Sequence, residues 1–161
     1  MSEARAATLV VIEYGASWPK WLAPNHYGHL AVVAQHYEGE PSSLVAQVAN
    51  RVARLEGTGW KLDTMVLAVN GRTDDGAFAA RSVLSRGLLA RLQKSGGGDL
   101  VLTVDDGVGP RACQELTGLA AALDGDAVGW AVGVSVRIGR QEPIQGLSSD
   151  WSLLHSCAPG A

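Results

Sequence analysis

Short apolar runs alternate along this chain with stretches whose apolar residues recur at helical spacing, and that alternation restricts the fold more than any other feature. The β-like runs are Leu9–Tyr14, Leu30–Tyr37, Met65–Val69, Leu100–Val104 and Trp130–Ile138. The third and fourth are almost wholly apolar, as in strands covered on both faces. In the last, Val132, Val134, Val136 and Ile138 alternate with Gly133, Ser135 and Arg137. That pattern predicts a strand near an edge, with one face only partly covered.

Helices fill the intervals after the second, third and fourth runs. Leu44 or Val45, Val48, Val52 and Leu55 form one stripe opposite Gln47, Asn50, Arg51 and Arg54. Ser42 or Ser43 is its expected cap and Gly57 its stop. A second helix is expected over about Asp75–Lys94, with Ala77, Ala80, Leu84, Leu88 and Leu92 inward and Gly96–Gly98 ending it. The third opens on Pro110, where a missing amide donor costs nothing, and turns Ala112, Leu116, Leu119 and Leu123 inward as far as Gly125.

The order is β-β-α-β-α-β-α-β, an α/β fold. Strand–helix–strand connections make the second to fourth strands a parallel core. The Pro-interrupted connection Gly15–His29 is a poor crossover helix, so the first two strands are expected to pair antiparallel. The expectation is a three-layer sandwich around a mixed, mainly parallel five-stranded sheet. Residues 1–139 form one domain and 140–161 a C-terminal tail, flexible or docked, in which Leu147, Trp151 and Leu154 keep helical spacing.

Composition narrows the functional classes. With 47% hydrophobic residues and a net charge of −3, the chain is neither disordered nor strongly basic, which argues against nucleic-acid partners. Met1-Ser-Glu-Ala-Arg leads straight into Leu9–Ile12 without a signal-peptide core, and no run spans a membrane. Cys113 and Cys157 read as free thiols in a reducing compartment, so the expectation is a cytoplasmic protein.

Ligands of open α/β sheets gather at the carboxyl ends of the strands, which directs attention to Gly15–His29, Asn70–Gly76 and Asp105–Gly109. Gly71-Arg-Thr-Asp-Asp-Gly76 has phosphate-loop spacing, but Ala77 and Phe78 stand where Lys and Ser/Thr belong. There Asp74 and Asp75 would repel an anion; they suit a helix start, with Thr73 or Asp74 as cap. Together with Asp105 and Asp106 they are the candidate ligand or magnesium site, set against a solvated Asp-Gly turn. No metal or cofactor is expected with any specificity. His26, His29 and His36 read as solvated or core histidines rather than a zinc set. Cys113 reads as a packed thiol. Gly133-Val-Ser135-Val-Arg137 breaks the nucleophile-elbow pattern, and the tail's Asp150, Ser152 and His155 lack a rigid frame.

The element order is similar to that of anti-sigma-antagonist domains, whose phosphorylation turn Asp-Ser-Ser-Gly falls where this chain has Thr73-Asp74-Asp75-Gly76. That resemblance is one of topology and of this one turn, which here lacks the phosphorylated serine. Universal stress proteins are also small α/β domains, but their G-x₂-G-x₉-G-[ST] loop is absent.

Tyr14, Trp18, Trp21 and Tyr27 crowd into a single loop that Pro19 and Pro24 stiffen. Such aromatics serve either as a lid on the core or as the centre of a protein interface. With Trp151 of the tail they are the candidate interaction surface. The expected function is a non-catalytic interaction or regulatory module that binds itself or another protein. The alternative is a small ligand binder or enzyme, nucleotide-, anion- or magnesium-dependent, with its site at the strand carboxyl ends.

Overall fold

The apolar runs become strands that all point the same way. A computed structural model of the chain describes residues 5–13, 15–16, 31–35, 41–105 and 108–138. In chain order the elements are β1 (Arg5–Ile12), β2 (Ala31–Gln35), α1 (Pro41–Gly57), β3 (Trp60–Val69), α2 (Asp75–Lys94), β4 (Gly98–Val104), α3 (Pro110–Asp126) and β5 (Val132–Ile138). The strands lie in the order β2-β1-β3-β4-β5, and every neighbouring pair is parallel.

The antiparallel pairing expected for the first two strands is therefore corrected, and with it the mixed sheet: Thr8 to Ile12 run alongside Ala31 to Gln35 in parallel register. A parallel return needs only a dozen or so residues, helical or not. Residues 13–30 satisfy that by length alone, so their prolines do not decide strand direction.

Element boundaries shift for local reasons. The third strand starts at Trp60, five residues before its apolar run, because exposed Lys61 and half-buried Asp63 alternate with buried Leu62 and Thr64. This extension pairs with Arg5–Ala7, and the register slips between Ala7 and Thr8. Helix α1 begins at Pro41, so Ser42 and Ser43 fall within its first turn rather than capping it. Helices α2 and α3 start where the stripes and Pro110 place them.

One core cluster joins all three helices to one face of the sheet. It contains Val48 and Val52 of α1, Leu84, Leu88 and Leu92 of α2, and Leu116, Leu119 and Leu123 of α3. These pack on Leu9, Met65, Leu67, Leu100 and Leu102, which share that face by register. Truncating one such leucine to alanine costs about 2–5 kcal/mol. The opposite face carries Thr8, Val10, Val66, Ala68, Val101 and Thr103, which are smaller and equally buried. Strand β5 has one described neighbour, β4, and its Gly133 and Ser135 are exposed, as the alternation predicts for an edge.

The two ends of the crossovers are built differently. At the amino edge, Gly97 and Gly98 adopt φ of 112° and 143°. A Cβ on Gly97 would overlap the Ala131 carbonyl, and one on Gly98 the Asp63 carbonyl. The glycines that end α2 thus also let the chain enter β4 between its neighbours. The carboxyl edge holds the polar groups.

Candidate functional site at the carboxyl ends of the strands

The strand order reverses direction between β1 and β3, since the chain steps outward to β2 and then back across β1. In open α/β sheets that switch point is where a crevice forms beyond the strand ends. Here it is filled by a side chain. Glu13 directly follows β1, Asn70 directly follows β3, and Arg81 projects from the second turn of α2; Glu13 and Arg81 are buried.

The Arg81 guanidinium donates from Nε to Glu13 Oε2 at 2.8 Å and from Nη2 to Glu13 Oε1 at 2.7 Å, the bidentate fork that a planar guanidinium and a carboxylate form best. Its Nη2 also donates to Asn70 Oδ1 at 2.9 Å, and its Nη1 to the Arg72 carbonyl at 2.7 Å. Glu13 Oε1 accepts from the Asn70 amide at 3.1 Å, and Asn70 Oδ1 accepts from the Arg72 amide at 2.8 Å. The network ties β1, β3 and the start of α2 together, and both charges are met by several partners. A buried pair this well satisfied offsets its desolvation, whereas leaving either charge alone there costs about 3–5 kcal/mol.

The loop after β3 is drawn into the same frame. Asp74 caps α2, its Oδ1 accepting from the Ala77 amide at 2.9 Å, and its Oδ2 accepts from Arg72 Nε at 3.0 Å. The Ala77 amide, then the Arg72 guanidinium, hold the Asp74 carboxyl below its ordinary value of 3.8. Asp75 lies exposed in the first turn, where the helix dipole favours a carboxylate. A Cβ on Gly71 would lie 3.0 Å from Val108 Cγ1, so the loops after β3 and β4 are in contact there. Asp105 is half-buried at the end of β4, and its carbonyl accepts from the Val108 amide at 3.4 Å.

Asp74, Asp75 and Asp105 belong to one edge, and Asp106 lies outside the described residues. Among the described residues no group of three or more His, Cys, Asp or Glu could hold a metal ion. Tyr14, Trp18, Trp21, Tyr27 and Trp151, with His26, His29 and His36, also lie outside them. Cys113 is a half-buried thiol packed against the core. Among the described residues the exposed large apolar side chains are Phe78 and Val83 on α2, with Val128 and Trp130 in the turn before β5.

No protein-family model, curated protein or solved structure matches this chain.

Sequence reasoning missed Glu13, Asn70 and Arg81. The signal was present in α2: Arg81 occupies the inward stripe between Ala77 and Leu84, at spacings of four and three residues. A guanidinium on an apolar stripe requires a carboxylate, and Glu13, at the end of a strand, is the one that meets it. Among the described residues no helix is long and apolar enough to cross a membrane.

Proposed function

We propose that this chain is a non-catalytic interaction or regulatory module, acting through contact with a second copy of itself or with another protein. The observation that carries this reading is the Arg81–Glu13–Asn70 network. It spends the polar groups at the switch point on bonds within the protein, where a ligand site would aim them at a crevice. Asp74 is likewise engaged, by its own helix and by Arg72.

The contact surface in this reading is the aromatic segment Tyr14, Trp18, Trp21 and Tyr27, with Trp151 of the tail. Phe78, on the first turn of α2, is an exposed ring at the carboxyl edge, 41% accessible. Pro19 and Pro24 limit what the segment loses in entropy when a partner binds. The domain is a three-layer sandwich of residues 1–139, acting in the cytoplasm as a homo-oligomer.

The test is light scattering on the purified chain and on the double variant Trp18→Ala/Trp21→Ala. The reading expects a wild-type mass above that of the 16.8 kDa chain and a shift toward monomer in the variant. A strict monomer in both overturns the self-association.

A further inference from the structure

We propose that Asn70-Gly71 is a self-modifying site: the Gly71 backbone nitrogen attacks the Asn70 side-chain amide, and water completes the conversion of Asn70 to aspartate or isoaspartate, promoted by the Arg81 guanidinium. The proposal goes beyond the contact function above and does not depend on it. Asparagine is a thermolabile residue, and a glycine after it leaves the attacking nitrogen without a side chain to shield it. The dipeptide makes the reaction available. The bonds around Asn70 direct it.

The electrophile is the Asn70 side-chain carbonyl. Its Oδ1 accepts from Arg81 Nη2 at 2.9 Å and from the Arg72 amide at 2.8 Å. As a nitrogen adds to Cγ, negative charge gathers on this oxygen, and donors already at about 2.7–3.1 Å are the arrangement that stabilises such an oxyanion. The guanidinium is buried, where solvent screens its charge less than at the surface. The Arg72 bond returns from two residues on, an Asx turn that folds the Asn70 side chain back over the Gly71 peptide.

The same guanidinium prepares the nucleophile. Arg81 Nη2 also donates to the Asn70 backbone carbonyl at 3.2 Å. That carbonyl shares a peptide with the Gly71 nitrogen, so drawing electrons toward its oxygen makes the Gly71 N–H more acidic. Gly71 is exposed, which lets hydroxide and water reach it. Hydroxide takes the Gly71 amide proton and the N–Cγ bond forms. The bond from Cγ to Nδ2 then breaks, and Nδ2 takes a proton from water and leaves as ammonia. Water opens the resulting cyclic imide, at Cγ to give aspartate or at the backbone carbonyl to give isoaspartate. No oxidant or reductant is consumed. Either product sets a second carboxylate beside Glu13 against one guanidinium, and isoaspartate also lengthens the backbone between β3 and α2.

The test incubates the full chain in one mildly alkaline buffer, folded and unfolded in urea, and follows each asparagine by peptide mass spectrometry. Exchange of the side-chain NH2 for OH marks conversion, and fragmentation separates aspartate from isoaspartate. Unfolding removes both donors to Oδ1. The expected result is conversion of Asn70 at least several-fold faster in the folded protein, with Asn50 of α1 retained there. A folded rate equal to or below the unfolded one, or equal conversion of Asn50, overturns the proposal. In a second arm, the double variant Glu13→Leu/Arg81→Met keeps Asn70 and Gly71 but removes the guanidinium, and is expected to lose the acceleration. Conversion at the wild-type rate in that variant, folded by its amide spectrum, counts equally against the proposal. The comparison of folded with unfolded wild type decides the matter whether or not the variant folds.

Discussion

Arg81 is the residue on which the carboxyl edge depends. Its guanidinium meets a carboxylate from the end of β1, and a side-chain amide and a backbone carbonyl from the loop after β3. Arg81→Met is expected to lower unfolding stability by about 3–5 kcal/mol, because it strands the buried Glu13 charge. The double variant Glu13→Leu/Arg81→Met should recover most of that loss in urea melts, since an apolar pair replaces a buried ion pair at little cost. A double variant as unstable as the single would mean that the fork itself holds the edge. Asp74 gives a pH signature at the same place. Its folded-state pKa is depressed, so its contribution is present above the unfolded value and is lost as pH falls through the folded one. Asp74→Asn keeps a capping oxygen and should flatten thermal stability against pH below about 4, where the wild type declines. At this scale the sequence is only half legible. Asp74 could be read as a cap from its place before an apolar stripe, whereas the partner of Arg81 lies across the fold in another strand end, and no local spacing encodes it.

Helix α2 shows how far local pattern specifies an element. Its limits follow from Asp74, the leucine stripe and the glycines after Lys94, all of which act within a few residues. Its packing does not. Gly87 faces α1, and a Cβ there would lie 2.6 and 2.8 Å from the two γ-methyls of Val45. Gly87→Ala would gain up to about 1 kcal/mol of helix propensity, but overpacking against a neighbouring helix costs about 1–3 kcal/mol. The expected outcome is net destabilisation that disappears when the same substitution is made beside Val45→Ala, a coupling a double-mutant cycle measures directly. The direction of β1 against β2 was illegible for a related reason. Connection length fixes whether a parallel return is reachable, while the prolines within residues 13–30 bear only on local conformation. The early start of β3 could have been read from Leu62 and Thr64, whose alternation with Lys61 and Asp63 is that of a strand near its end.

At the scale of the whole molecule the two faces of the sheet are unequal. Leucines and Met65 meet the helices, while valines, threonines and alanine line the other side. The strand runs announced burial on both faces, because near-continuous apolar sequence leaves no side for solvent. The carboxyl edge is held by the protein's own bonds among Glu13, Asn70 and Arg81, and the contact function proposed above rests on that closure. Titration of the intact protein with millimolar magnesium, inorganic phosphate and magnesium–ATP, followed by amide shifts of Asp74, Asp75 and Asp105, tests this most directly. No saturable shift is expected at any of the three; a saturable shift shared by all of them would make the edge a ligand site.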